Sequence, residues 1–248
     1  MSQYLEADAP GSGAVSVEAN RELIQTRPQR RLSTSVKALD DFIGGFPSSQ
    51  VTLIDSSDRL VLDIVHLLCV NQVLEEGRDV VWVDGGNSVN PYALTSLCKR
   101  FRVRSGEVLE SVNVSRAFTA YQLVTLIEEM MEAEVARTRA GLLVVTSFPD
   151  LFQDKDMWWS ESLQLMKRCL ACMREVTRRH GTVTLVTNLG LSKMLYKKSL
   201  RSLMYSSADQ VLRIESQRAA LRISVVNEGR SMLYHPVPYY QRTLDEFR

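Results

Sequence analysis

Four short apolar runs, each set apart by longer amphipathic stretches, constrain this chain more than any other feature. Residues 51–54 read VTLI, 80–83 read VVWV, 142–145 read LLVV and 182–186 read TVTLV. Such runs are too short for a helix buried all round and are rich in β-branched residues, so each is expected to be a strand covered on both faces. Helical patterns lie between them. Residues 60–76 are apolar and stop at Gly77, and Pro91 opens a segment that ends near Phe101. Residues 120–139 place Leu123, Leu126, Ile127 and Met130 on one face, and Leu163, Met166, Leu170, Met173 and Val176 recur at helical spacing. Strand–helix alternation of this kind predicts an α/β fold, a mostly parallel sheet with helices on both faces. The last third changes period: residues 211–214, 221–226 and 232–234 are short and closely spaced, which predicts antiparallel strands at the end of the sheet.

The ends and the composition bound the rest. Residues 1–31 are rich in Ala, Gly, Ser, Pro and charge, and end in Arg27, Arg30 and Arg31. They predict a flexible N-terminal arm before one core domain over 32–248. Ser33, Thr34 and Ser35 offer an N-cap to a helix carrying Val36, Leu39, Phe42 and Ile43, which Gly44 and Gly45 end. Thirty Lys and Arg against twenty-nine Asp and Glu leave a net charge of +1, so a nucleic-acid contact would need a local patch. No apolar run approaches a membrane span and the N-terminus lacks the pattern of a signal peptide, so no membrane partner and an intracellular site are expected. Four cysteines then read as reduced thiols. Cys169 and Cys172 form a C-x-x-C with no second ligand pair, which predicts core packing and no metal; Cys69 and Cys98 read the same way. His66, His180 and His235 are isolated, and no hydrolase motif is present.

From about Leu32 to Val237 the sequence resembles the RecA/RadA recombinase superfamily, the archaeal and eukaryotic recombinases and their paralogues. Five blocks carry the resemblance in order: LSTSVKALDDFIGG before the phosphate loop, VVWVDGGNSVNPYAL at the strand bearing a catalytic carboxylate, VLESVNVSRAFTAYQLVTLIEEM, LLVVTSFPDLF at the metal-binding strand, and TLVTNLG at the strand ending in a polar sensor. The resemblance implies a RecA-like P-loop NTPase core.

The departures bear on function. Active members of the family carry G-x-x-x-x-G-K-[ST], whose backbone N–H groups, lysine and hydroxyl hold the phosphates and Mg²⁺. The matching segment is Asp55, Ser56, Ser57, Asp58, Arg59, Leu60, Val61, Leu62, without a glycine between Gly45 and Gly77 or a lysine between Lys37 and Lys99. The lysine position falls on Leu60, Val61 or Leu62, and Asp55 and Asp58 set negative charge where a triphosphate would lie. Thr146 stands at the metal-binding Asp, Gly86 at the water-activating Glu and Leu189 at the sensor. The resemblance therefore implies a pseudo-ATPase with no catalytic residue, no cofactor and no metal. Arg59 reads either as a substitute positive charge or as a surface arginine at a helix start. Asp84 reads as a turn-forming residue before Gly85 and Gly86.

Between residues 176 and 208 there is no Asp or Glu, yet Arg178, Arg179, Lys193, Lys197, Lys198 and Arg201 all fall there. By position residues 191–207 resemble the loop through which recombinases hold single-stranded DNA. Lys193, Lys197, Lys198 and Arg201 are the candidate phosphate contacts, with Tyr196 or Tyr205 to stack on bases. The segment also has helical periodicity and reads equally as a solvated basic helix. Residues 150–159 resemble the family's other DNA-facing loop. There Trp158 and Trp159 suit bases, a partner or burial at a helix start. Tyr4 to Ala7 resembles the aromatic-x-x-Ala plug that links recombinase protomers. The expected function is a non-catalytic recombinase paralogue assisting homologous recombination or DNA repair. It would bind a recombinase or another paralogue as a hetero-oligomer, with single-stranded DNA as a further candidate, in the cytoplasm or nucleoid, or in the nucleus of a eukaryote. The alternative is a RecA-like scaffold or regulator outside recombination that binds protein only.

Overall fold

The alternating runs build one central sheet. The computed structural model describes residues 29–56, 59–154, 156–188, 198–217 and 220–235, with the side chains of 198 and 199 excepted. Past residues 29 and 30, the described residues belong to one unit that starts at Arg31. Of the expected arm, 1–31, only its last three residues are described, so the Tyr4–Ala7 resemblance lies outside them.

In chain order the elements are β1 (Arg31–Leu32), α1 (Lys37–Ile43), β2 (Phe46–Pro47), β3 (Gln50–Ser56), α2 (Leu60–Glu76), β4 (Val80–Asp84), α3 (Pro91–Phe101), α4 (Ser105–Glu110), β5 (Val112–Arg116), α5 (Ala120–Thr125), a π turn (Leu126–Met130), α6 (Met131–Thr138), β6 (Leu142–Thr146), a 3₁₀ turn (Asp150–Gln153), α7 (Trp159–His180), β7 (Val183–Asn188), α8 (Lys198–Ser207), β8 (Gln210–Gln217), β9 (Ala220–Val225), a second 3₁₀ turn (Val226–Glu228) and β10 (Arg230–Tyr234). β1 pairs with β2, and the main sheet runs β10-β9-β8-β3-β7-β6-β4-β5. The six strands from β8 to β5 are parallel, whereas β9 and β10 are antiparallel. β8 thus joins β3 in parallel, and only β9 and β10 form the antiparallel end that the spacing predicted.

Side chains two apart on a strand share a face. Val81 and Val83 of β4 and Leu143 and Val145 of β6 pack with Met166, Leu170 and Met173 of α7. Val80 and Trp82, with Leu142 and Val144, pack with Val61, Val65 and Leu68 of α2. Burial on both sides is why these strands read as unbroken apolar runs.

Helix ends follow local chemistry, with two departures. Gly44 and Gly77 end α1 and α2 at φ 70° and 60°, the left-handed region glycine enters without strain. Asn90 caps α3 by accepting from the Tyr92 and Ala93 N–H groups. The N-cap of α1 is Val36, not the Ser33–Ser35 run; instead Asp40, inside the helix, accepts from the Ser33 hydroxyl and from the Thr34 N–H and hydroxyl. Arg31, read from sequence as the end of a solvated arm, places its guanidinium on the Ile43, Gly44 and Gly45 carbonyls at the C-terminus of α1, where the helix dipole favours a cation. Within 120–139 the buried residues are Ala120, Leu123, Ile127, Met131 and Val135, while Met130 is exposed. The Met131 N–H bonds the Leu126 carbonyl five residues back, and this wider turn moves Met131, not Met130, onto the packed face.

Candidate functional site

The C-terminal ends of β3, β4, β6 and β7 meet where the resemblance places the nucleotide. Asp55, near the end of β3, is buried and turned toward its neighbours. It accepts from the Asn188 side-chain amide at 2.7 Å and from the Tyr205 hydroxyl at 2.6 Å, and Arg213 Nε lies 3.8 Å away. Burial and then the Asp55 carboxylate push the Tyr205 hydroxyl up to about 12. The Asp55 carboxylate is therefore engaged inside the fold by groups from β7, α8 and β8. Ser56 is buried; Ser57 and Asp58 lie outside the described residues, as does Leu189. Arg59 is exposed at the N-cap of α2, Leu60 is 39% exposed, Leu62 is half-buried and Val61 is wholly buried among Val65 and Ile54.

Beyond α2 an open cleft of about 560 Å³ runs between its first turns and the loop after β4, with Arg59, Asp63, His66, Asn87 and Asn90 among its walls. His66 is nearly inaccessible. Its Nδ1 donates to the Leu62 carbonyl at 2.5 Å, Nε2 accepts from the Asn90 N–H at 2.9 Å, and its ring lies 5.1 Å from that of Trp82. One nitrogen donating and the other accepting is the neutral imidazole, and burial keeps its pKa below the ordinary value. His66 thus pins the start of α3 to α2. Histidine spacing along the chain carried no signal for this, because the partners are backbone groups.

Asp84 anchors the other wall. Its carboxylate accepts from the N–H groups of Gly86, Ser88 and Val89, from the Ser88 hydroxyl at 2.7 Å and from the Thr146 hydroxyl at 3.0 Å, and Arg116 Nε stands 3.5 Å away. Burial would raise its pKa, but the hydrogen bonds from Ser88, Val89 and Gly86 outweigh that and hold it low. Thr146 also accepts from the Trp82 indole at 3.1 Å. The turn role expected of Asp84 is what these bonds describe. Gly86 is closed in by the next loop: a Cβ there would stand 2.2 Å from Ser147 Oγ and 2.7 Å from Ser147 Cβ. Gly86→Glu, which puts an acid where the resemblance sets the water-activating Glu, is expected to lower stability by about 1–3 kcal/mol through overpacking and to give no hydrolysis. Urea denaturation together with a phosphate-release assay checks both.

The basic segment is only partly described. Lys193 and Lys197 lie outside the described residues, and Lys198 opens α8 with its side chain likewise outside. Arg201 is half-buried, one turn before Tyr205, with Nε inaccessible and unpartnered. Residues 198–207 are helical, with Leu200 and Met204 buried on the core, so the latter part of the expected loop is a packed amphipathic helix. Arg178 pairs with Asp209 at 3.5 Å and Arg179 with Glu132 at 2.5 Å; acids outside the counted window neutralise these two cations. Cys69, Cys98 and Cys169 are buried, and Cys172 packs beside the core; burial raises all four thiols. Among the described residues no group of three potential ligands could hold a metal ion.

Two comparisons bear on this arrangement. The family model described as Rad51 matches residues 27–201. Among curated proteins, the DNA repair protein Rad51 homolog of Drosophila melanogaster is 28% identical over 131 residues, covering 50% of this chain and 38% of the fly protein. The match thus spans well under half of that relative's length.

Proposed function

This chain belongs to the Rad51 family, within the RecA/RadA recombinase superfamily, and on that premise we propose that it serves homologous recombination or DNA repair as a member that does not hydrolyse ATP and works through a partner. The observation that carries the reading is the closed Asp84–Ser88–Thr146 network beside the filled space at Gly86. Phosphoryl transfer is catalysed by charges positioned on the phosphates and on the attacking water. At these strand ends the acid is consumed by internal donors, the neighbouring position is a threonine serving the same network, and Leu60, Val61 and Leu62, the three candidates for the lysine position, carry no charge. The family relationship supports a recombinase or another paralogue as the partner in a hetero-oligomer. Lys193, Lys197, Lys198 and Arg201 remain the proposed contacts to single-stranded DNA. Among the described residues no helix is long and apolar enough to cross a membrane, and the proposed location is wherever the cell keeps its DNA.

Purified full-length protein is expected to release no phosphate from ATP–Mg²⁺ above a protein-free control, with or without single-stranded DNA. It is also expected to show no rise in melting temperature with millimolar nucleotide, since a ligand of the native state must stabilise it. Phosphate release that Arg59→Ala abolishes would overturn the reading. Co-expression with the recombinases of the same host, followed by size-exclusion chromatography, tests the partner: a co-eluting complex is expected, and a chain that stays alone beside each of them counts against it.

A further inference from the structure

Three aromatic side chains stand in solvent at one corner of the molecule. Phe118 is 71% exposed, Tyr121 57% and Trp158 79%. Phe118 precedes α5, with its N–H held by Gln122 Oε1, and Tyr121 lies in the first turn of that helix. Trp158 is the N-cap of α7. The Tyr121 hydroxyl donates to Glu161 Oε1 at 2.7 Å, and Glu161 lies in the first turn of α7. This bond ties the first turn of α5 to the first turn of α7, three residues after Trp158. The third member of the corner is the turn between β6 and α7, where Asp154 and Asp156 are exposed. Asp154 is close enough to Tyr121 to help raise its hydroxyl pKa, behind Glu161.

The charge around these rings is mainly negative. Residues 150–166 contain Asp150, Asp154, Asp156 and Glu161 against Lys155 alone, four acids less one base, and 117–130 contain no Lys or Arg. Among the described residues none of Asp154, Asp156 and Glu161 has an ion pair, and Arg116, two residues before Phe118, is engaged with Asp84. Exposed rings suit stacked bases as well as protein, but bases arrive attached to phosphates, which an excess of carboxylates repels. The same carboxylates attract ammonium and guanidinium groups, which also bind over aromatic faces.

We propose that Phe118, Tyr121 and Trp158, ringed by Asp154, Asp156 and Glu161, form a docking surface for a lysine- or arginine-bearing segment of a partner protein. The position that the resemblance assigned to DNA is thus a protein-facing one in this chain. The proposal rests on the reading of the chain as a partner-binding protein, and its test needs neither a recombinase nor ATP.

A phage-displayed library of random dodecapeptides, selected on immobilised full-length protein, provides the probe. Selected sequences are expected to be rich in Lys or Arg interspersed with apolar residues. Their synthetic versions should bind roughly tenfold more weakly to a Phe118→Ser, Trp158→Ser variant, as loss of an aromatic anchor does. Asp154→Asn with Glu161→Gln, which keeps the rings, should weaken binding and flatten its salt dependence. All four positions lie at the surface, and circular dichroism confirms the fold of each variant. Selected peptides without a cationic excess, or equal binding to the ring variant, would overturn the proposal. So would oligo(dT) binding that the same ring substitutions remove, since the surface would then read nucleic acid. If the recombination reading alone fails, the co-elution experiment above is negative while peptide binding and its dependence on the rings persist.

Discussion

Asp84→Ala is expected to destabilise the protein by about 3–5 kcal/mol, the range for removing one partner from a buried charged network. The carboxylate is wholly buried and satisfies three backbone N–H groups and two hydroxyls. Alanine leaves those donors without an acceptor in a site too enclosed for bulk water, and each such group costs about 1–3 kcal/mol. Arg116 also loses its counter-charge, but that contact is part-exposed and contributes little. In a chain of this length the melting temperature should fall by on the order of 10 °C. Asp84→Asn keeps an acceptor and the shape, and should lose less. A loss under about 1 kcal/mol in urea for Asp84→Ala would mean that the loop after β4 rearranges to satisfy itself. The low pKa of Asp84 also predicts an acid limb. A depressed carboxylate contributes stability that is complete above its unfolded value, about 3.9, and is lost as pH falls through the lower folded value. His66, held neutral by burial, adds a separate limb at higher pH: the unfolded chain takes up its proton below about 6.5 while the folded chain resists it, so stability falls there first. His66→Gln should remove the upper limb and Asp84→Asn the lower one in stability-versus-pH curves.

Trp82→Ala is expected to cost a similar amount, about 3–5 kcal/mol, by a different route. Trp82 is wholly buried on the β4 face that α2 covers, its ring lies against His66 and its indole N–H donates to Thr146. Alanine opens a cavity in a close-packed layer that the parallel strands on either side cannot collapse into. Trp82→Phe retains most of the volume and removes only the indole donor, so it should cost less than half as much. Because Trp82 and Asp84 both bond Thr146, the double variant Trp82→Ala, Asp84→Ala should lose less than the two single losses added together. Strict additivity in a denaturation cycle would show that Thr146 does not couple the strand to the loop.

These two residues also mark the limit of what patterning discloses. Trp82 in VVWV was legible as a core residue, because a strand covered on both faces needs apolar groups at odd and even positions. That its indole is half of a polar bridge was not legible, since Thr146 is 64 residues away along the chain. The position of Asp84 before two glycines disclosed a turn, and the structure supplies the five donors that make the turn rigid. His66 looked isolated because two of its neighbours are a backbone carbonyl and a backbone N–H, which any sequence provides. The acid-free window from 176 to 208 overstated the free positive charge: Arg178 and Arg179 meet Asp209 and Glu132, one just past the window and the other on a neighbouring helix.

By itself the sequence determined the main strands and helices and the class of fold. The start of α2 at Leu60, the span of α3 from Pro91 to Phe101 and the stops at Gly44 and Gly77 follow from apolar period, proline and left-handed glycine, all of which act within a few residues. The resemblance also named candidates for the family's ATP-handling positions, because such candidates depend on order along the chain. Only the tertiary structure decided what those residues do. Asp55 turns to Asn188 and Tyr205, and Gly86 is shut in by Ser147. Each is a contact between strand ends or helix starts that parallel topology brings side by side from distant parts of the chain, and local propensity carries no term for such pairs.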